Sequence, residues 1–441
     1  MNPTIAAIST PPGEGGVAVI RISGERAVAI AGTVFSSPLA GRPREMVYGR
    51  ILHGGEIVDR GLAVIFPAPR SYTGEDMAEI HCHGGIVVSA RVLEAVLEAG
   101  ATAAAPGEFT QRAFLNGKMD LTQAEAVMDV IRARTPLALA AASEQLSGRL
   151  GDEFRALRER LIGLVAHVEA WIDFPEEDID PATGAALIGA IHDARAAAES
   201  LLGTAATGRI LREGVRLVIC GAPNAGKSSL LNRLLGWDRA IVTPTPGTTR
   251  DTIEELANLG GLPFRITDTA GLRATDDPVE SLGVNRARDA IAAADILLHV
   301  IDASDPAADP PGAEFGAATQ LLVANKCDLV GTLPPGLAGC AHPVSCATGA
   351  GLAELVDGIV RTVAGAVPRP SAAAINARHQ ACLARARDGL NEAAAELAAG
   401  NPPELAAIGL RSALDAVGEI LGRADSEEIL GEIFARFCIG K

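Results

Sequence analysis

The run Gly221-Ala-Pro-Asn-Ala-Gly226-Lys227-Ser228 follows the apolar segment Val215–Cys220 and opens a helical pattern. A strand, a glycine-rich loop and a helix in that order form a phosphate cradle, because glycines let the backbone close around an anion with its N–H groups pointing inward. The motif works only inside a strand–helix alternation, and residues 212–368 show one. Val215–Cys220, Phe264–Thr267, Ile296–Ile301 and Gln320–Ala324 read as strands of a parallel sheet with crossover helices.

The chain on either side has a different character. Its 441 residues exceed what one hydrophobic core organises, so about three domains are expected. Residues 1–118 read as mixed α/β, with strands at Val17–Ile22, Leu62–Phe66 and Ala78–His83 and a helix over about Val88–Ala99 that stops at Gly100. From Leu121 to about Ala206 apolar residues recur at helical spacing, with a break at the acidic stretch 174–180. Residues 366–373 read as a proline-containing exit linker, and 375–441 return to Ala/Leu helices. The expected fold is therefore multidomain: an α+β domain over 1–118, helices over 119–211, an α/β domain over 212–370 and helices over 371–441. Helices on both sides of a complete α/β domain point to its insertion into one helical domain, with two separate helical pieces as the alternative.

Composition narrows the function classes. A net charge of −16 gives no global pull toward nucleic acid or anionic lipid, so an RNA contact needs a local basic patch or a partner. The seven cysteines are scattered without a CxxC pair, as reduced thiols would be. No apolar run reaches membrane-span length and the N-terminus lacks a basic leader region, so a cytoplasmic protein with no membrane contact is expected.

Further elements follow the phosphate loop in a fixed order. In the loop itself Asn224, Ala225, Gly226, Lys227, Ser228 and Ser229 surround the phosphates, Lys227 neutralising the β- and γ-groups and the Ser228 hydroxyl ligating magnesium. Asp268-Thr269-Ala270-Gly271 ends a strand, placing Asp268 to hold the ion through water and Gly271 to sense the γ-phosphate. Asn325-Lys326-Cys327-Asp328 ends another, and the Asp328 carboxylate matches the adjacent N1–H and N2 donors of guanine, which adenine lacks. Ser345-Cys346-Ala347 offers backbone N–H groups to the guanine O6. The turn-rich stretch Thr243-Pro244-Thr245-Pro246-Gly247-Thr248-Thr249 suits a switch loop, with Thr249 completing the magnesium shell. A lone phosphate loop can arise by chance; four such elements in order imply GTP with magnesium. Leu272 stands where a water-orienting Gln often follows the glycine, so hydrolysis needs another polar group and another positive charge.

Several stretches resemble the MnmE (TrmE) family of tRNA-modification GTPases: residues 11–24 (PPGEGGVAVIRISG), 71–85 (SYTGEDMAEIHCHGG), 107–126 (GEFTQRAFLNGKMDLTQAEA), 246–251 (PGTTRD) and 437–441 (FCIGK). The resemblance covers essentially the whole length. It implies an N-terminal tetrahydrofolate-binding and dimerisation domain, a discontinuous helical domain and an inserted Ras-like G domain. It further implies a homodimer that acts with the flavoprotein MnmG, as a heterotetramer, on the wobble uridine (position 34) of certain tRNAs. A carboxymethylaminomethyl-type group is added at C5, drawing its one-carbon unit from a 5-formyl- or methylene-tetrahydrofolate.

The same resemblance assigns residues. Potassium supplies the missing charge, between the Asn224 side chain and oxygens of Thr243, Thr245 and Thr248, in a loop where Pro244 and Pro246 alter the ordering. The hydrolytic glutamate falls on Glu280, which by sequence alone reads as a solvated helix carboxylate. Glu79 faces the pterin donors, with Arg21, Lys118 and Lys441 on the basic side for the folate carboxylates, and Cys438 lies near the bound folate as a candidate catalytic thiol. Without the family these are ordinary surface positions. His81 and His83, alternating around Cys82, read as structural and not as zinc ligands. Two other functions compete: a ribosome-assembly GTPase, which predicts a basic RNA-binding domain where this chain has an acidic balance, and a folate-responsive switch without chemistry of its own.

Overall fold

A computed structural model describes residues 2–173, 182–237, 254–268, 289–305, 319–334, 336–339, 341–364, 374–422 and 427–440. The chain divides into two compact units: residues 1–128, 146–156 and 417–441 form the first, and 129–145 with 157–416 the second.

In the first unit the order is β1 (Ile5–Ile8), β2 (Ala18–Ser23), α1 (Ala27–Val34), β3 (Val47–His53), β4 (Glu56–Phe66), β5 (Met77–Cys82), α2 (Ile86–Glu98), β6 (Thr102–Ala103) and α3 (Glu108–Leu115). The strands form one sheet in the order β3-β4-β5-β2-β1-β6, antiparallel except for the β1–β6 pair. Period-two alternation sends Ile20, Ile22, Ala78 and Ile80 to one face, where they are buried with Ile30 of α1 and Val92 and Val96 of α2. Each such aliphatic side chain contributes about 1.5–3 kcal/mol on burial. Arg21, Ser23, Glu79 and His81 take the other face by the same alternation. The sequence missed β1 and β3. β1 is only four residues long, and β3 alternates its buried residues with the exposed Tyr48 and Arg50. The strand expected at Ala78–His83 ends at Cys82, so His83 leaves the sheet and pairs with Asp59 at 2.9 Å.

The same unit gathers the ends of distant segments. α4 (Leu121–Arg132) contributes Leu121, Ala124 and Met128 to a core with Phe434 at the end of α13 (Glu427–Ala435) and Phe437 after it. Beyond that core the Gly107 N–H donates to the Cys438 carbonyl at 3.5 Å, and Ser9 Oγ donates to the Gly440 carbonyl at 3.0 Å. Gly440 has φ +94°, and a Cβ there would stand 2.4 Å from the Ile8 carbonyl oxygen; only glycine fits.

The second unit contains α7 (Ala182–Leu202), α8 (Ala205–Glu213), β7 (Val215–Gly221), α9 (Lys227–Leu235), β8 (Glu254–Leu259), β9 (Leu262–Asp268), β10 (Ile296–Asp302), β11 (Thr319–Asn325), β12 (Ala341–Pro343), α10 (Leu352–Ala364), α11 (Ala377–Ala398) and α12 (Pro403–Ile420). Its sheet runs β12-β11-β10-β7-β9-β8. The four strands read from the sequence, β7, β9, β10 and β11, pair in parallel, and an edge strand that was not read, β8, pairs antiparallel with β9 through the tight turn at Gly260-Gly261. β8 begins with exposed Glu254 and Glu255 and lacks the continuous apolar run that revealed the buried strands.

The helical segments before and after this sheet pack together, with α7 lying along α11 and Arg195 donating to Asn391 Oδ1 at 3.2 Å. At the crossing point Arg212, in the last turn of α8, bonds Asp129 Oδ2 (2.6 Å), Gln145 Oε1 (2.9 Å) and the carbonyls of Ala374 (2.7 Å) and Ile375 (2.8 Å). One guanidinium thus holds the chain where it enters the α/β domain and where it leaves. Of α5 (Pro136–Leu146) and α6 (Arg149–Asp173), residues 136–145 and 157–173 belong to this unit. The acidic break at 174–180 and the linker at 366–373 lie outside the described residues.

Candidate nucleotide site

Strand register sets the site. Val300 of β10 lies beside Gly221 at the end of β7, Ile219 beside Asp268 at the end of β9, and Asp302 beside Asn325 at the end of β11. The C-terminal ends of four parallel strands therefore share one edge, where the strand order reverses around β7 and an α/β sheet opens a crevice. Every described element singled out in the sequence around the nucleotide opens on this edge.

The loop's geometry is that of an anion cradle. Asn224 and Gly226 both have positive φ (63° and 95°), the backbone reversal that turns successive N–H groups to one side. A Cβ on Gly226 would stand 2.1 Å from Asn325 Nδ2, so glycine is required there by close approach as well as by φ. Asn325 in turn donates from Nδ2 to the Ala225 carbonyl (2.8 Å) and accepts the Cys346 N–H at Oδ1 (3.2 Å), tying the phosphate loop to the base loop. Lys227 is 8% exposed and its Nζ donates to the Ala222 carbonyl at 2.8 Å, within the loop it serves. Ser229 continues α9 beside Ser228.

Ser228 Oγ donates to Asp268 Oδ2 at 2.8 Å. A hydroxyl and a carboxylate converging beside a phosphate cradle are hard oxygen donors of the kind magnesium takes together with substrate phosphates, so the residues fit that ion. Behind the loop, burial pushes the Cys220 thiol up to about 11, so it packs as a neutral group near His299 Nδ1 at 3.5 Å.

On the base side, Lys326 has φ 62° and its Nζ bonds Asp302 Oδ2 at 2.6 Å, while Ser304 holds the other Asp302 oxygen. Asp328 is exposed in the turn Cys327–Leu329. The Ser345 N–H is spent on the Ala350 carbonyl (2.9 Å) and that of Cys346 on Asn325, which leaves Ala347 of the three expected donors for the base. Arg233 and Asp302 escaped the sequence reading. Neither sits in a motif, and only the fold carries Arg233, six residues past Lys227, to the carbonyls of Cys346 (2.7 Å) and Ala347 (2.8 Å). Thr243, Pro244, Thr245, Pro246, Gly247, Thr248, Thr249, Thr269, Ala270, Gly271, Leu272 and Glu280 lie outside the described residues, as does Lys441.

The first unit carries a second polar cluster. Arg21 and Glu79 are cross-strand partners in the β2–β5 register, and Arg21 Nε and Nη2 meet Glu79 Oε1 at 3.0 and 2.9 Å. The His81 ring, 3.4 Å from Glu79 Oε2, lowers the Glu79 pKa; burial opposes this and the Arg21 charge reinforces it. The guanidinium also lies over the rings of Tyr72 (5.4 Å) and Phe109 (5.8 Å). Thus Arg21 and Glu79, expected at opposite poles of a ligand, form one ion pair. Lys118 Nζ donates to the Pro69 carbonyl at 3.0 Å. Cys438 is exposed in the C-terminal strap. Among the described residues no group of three or more His, Cys, Asp or Glu side chains is arranged to hold a metal.

The family model described as the MnmE helical domain matches residues 121–438, spanning the α/β domain within its limits, and that described as the GTP-binding protein TrmE N-terminus matches residues 4–118. The chain is 47% identical over 445 residues to the tRNA modification GTPase MnmE of Akkermansia muciniphila, covering 99% of both. It is 48% identical over 457 residues to the protein of that name from Chloroflexus aurantiacus (100% of both), and 48% identical over 451 residues to that from Geobacter sulfurreducens (99% of both). Identity of this depth along the whole chain, on a fold whose strand ends assemble a phosphate cradle, shows that the chain belongs to the MnmE family of tRNA modification GTPases.

Proposed function

We propose that this GTPase acts in the cytoplasm, as a homodimer with an MnmG-type flavoprotein, to place a carboxymethylaminomethyl-type group on C5 of the wobble uridine of tRNA. The observation that carries the reading is full-length likeness to proteins named tRNA modification GTPase MnmE, joined to a described phosphate site with its elements in register. The domain limits stay as read from sequence, with the G domain over 212–370 between helical segments 119–211 and 371–441. Among the described residues no helix is long and apolar enough to cross a membrane.

In this reading the loop N–H groups and Lys227 bind the β- and γ-phosphates of GTP, Asp328 accepts from guanine N1–H and N2, and Ala347 donates to O6. Ser228 and Thr249 hold magnesium, with Asp268 behind it; when bound, the ion offsets charge on the phosphates. Asn224 and the oxygens of Thr243, Thr245 and Thr248 take potassium, and Glu280 orients the attacking water. In the first unit Glu79, paired with Arg21, keeps accepting capacity for pterin donors, since a carboxylate has about four lone-pair sites. Lys118 and Lys441 receive the folate carboxylates, and Cys438 is the thiol nearest in sequence to that charge.

Mass spectrometry of wobble nucleosides from cells lacking the protein tests the proposal. The C5-modified uridines should disappear and return with the wild-type chain. Their persistence at normal levels would defeat it, and a folate-responsive switch without chemistry would remain.

A further inference from the structure

The polar contacts across the base loop point to a residue that none of the nucleotide motifs contains. Arg233 lies on α9, the helix that the phosphate loop opens, and reaches across to the loop after β12. Its Nε donates to the Cys346 carbonyl at 2.7 Å and its Nη2 to the Ala347 carbonyl at 2.8 Å. In a planar trans peptide the C=O of one residue and the N–H of the next point in opposite directions. Fixing the Cys346 carbonyl on Arg233 therefore turns the Ala347 N–H to the other side of the loop. Fixing the Ala347 carbonyl does the same to the Thr348 N–H, which indeed meets Ser345 Oγ at 3.1 Å on that side. The Cys346 N–H is held by Asn325 Oδ1, the residue that also grips the phosphate loop. Between these two committed groups the Ala347 N–H meets no acceptor among the described residues.

We infer that Arg233 is a positioning residue for guanine recognition: its fork on two successive carbonyls aims the Ala347 N–H at the purine O6. This rests on the reading that guanine lies between Asp328 and the Ser345–Ala347 loop. Arginine suits the role because its donors are set in a rigid planar fork; a lysine ammonium is a point donor. The contact also links affinity at the base to α9, whose first residues, Lys227 and Ser228, serve the phosphates.

The test is competition binding of three nucleoside diphosphates to the full chain with magnesium. Guanosine diphosphate presents O6, N1–H and the 2-amino group. The 6-thioguanosine analogue replaces only O6, by a poor acceptor, and inosine diphosphate lacks only the 2-amino group that Asp328 reads. The wild-type chain should prefer the guanine nucleotide to both. Arg233→Ala should weaken guanosine diphosphate about 5- to 15-fold, the worth of one hydrogen bond, with little change for the 6-thio analogue. The guanosine-to-inosine ratio should stay as in the wild type. Arg233→Lys, able to hold one carbonyl, should recover part of the loss. A uniform loss for all three nucleotides would make Arg233 a support of α9 alone, and an unchanged guanosine affinity would remove any role; either overturns the inference. A wild-type chain that does not prefer guanosine over inosine diphosphate overturns the base-pocket reading beneath it, which keeps the two failures apart.

Discussion

Ser228 Oγ and Asp268 Oδ2 stand 2.8 Å apart, although 40 residues of chain separate them. Parallel pairing of β7 with β9 brings them together, and it gives the phosphate site its hard-oxygen corner. Ser228→Ala should reduce GTP hydrolysis by about 10²-fold or more, the scale of losing one electrostatic stabiliser of the transferring group. It should also raise the magnesium concentration needed for half-maximal rate. A magnesium titration of turnover checks both, and an unshifted midpoint would remove Ser228 from the ion's shell.

Potassium should accelerate hydrolysis well above sodium at equal ionic strength, because Leu272 cannot orient water and no arginine is placed to act as a finger by sequence. A finger is worth roughly 10³–10⁵-fold, which bounds what the ion replaces. Within potassium buffer, Glu280→Ala should lower turnover by roughly 10²–10⁴-fold with GTP affinity nearly intact. Rates measured in matched chloride salts decide the first point. Unchanged turnover of the variant would return Glu280 to a solvated helix carboxylate.

Asp328→Asn should weaken GTP binding and move preference toward xanthosine triphosphate, since an amide can donate to the xanthine O2 where the carboxylate accepts from guanine N2. Competition between the two nucleotides reads this directly. A GTP affinity that does not move would mean the base-recognition strand is wrongly assigned.

Asp295 caps the start of β10 with an ion-pair network. It accepts from the Arg216 N–H at 2.8 Å and from Arg209 at 3.0 Å. Burial raises its pKa, but the Arg216 backbone bond and the Arg209 guanidinium outweigh it, so the net shift is downward from 3.8. A folded-state pKa below the unfolded one means the contribution is full above the unfolded value and is lost as pH falls through the folded value. Asp295→Ala should therefore cost about 2–3 kcal/mol at neutral pH, and the gap to wild type should narrow progressively as pH falls below about 4. Denaturant melts at neutral and acidic pH test it; a gap independent of pH would deny the carboxylate's charge any part.

Deleting Cys438–Lys441 should abolish tRNA modification while GTP binding and most intrinsic hydrolysis persist. The strap contacts Ser9 and Gly107 of the first unit, whereas the described phosphate residues belong to the second. Lys441→Ala should chiefly weaken folate binding, and Cys438→Ser should impair modification with folate affinity little changed. Nucleoside analysis beside folate titration separates these. Normal modification by the truncated chain would show the strap to be packing only.

Chemistry that depends on residue type at fixed spacing was legible in the sequence. The phosphate loop and the Asn325–Asp328 turn each follow an apolar run, Leu217–Cys220 and Leu321–Ala324, because buried central strands need such runs, so their place at strand ends could be read directly; Asp268 follows Phe264–Thr267, where only Arg265 faces out. Alternation likewise put Arg21 and Glu79 on strands. Contacts set by strand register and by closure across the sequence were not legible. No local pattern says that Arg21 pairs with Glu79 58 residues away, that Arg212 holds residues 374 and 375 as the chain returns, or that Arg233 reaches the base loop 113 residues on. Edge strand β8 was hidden for the related reason that an edge exposed to water carries polar residues where a central strand cannot. Side-chain type and spacing determined what this protein can bind; the pairing of strands, whose hydrogen bonds join backbones irrespective of their distance along the chain, decided which groups stand together to bind it.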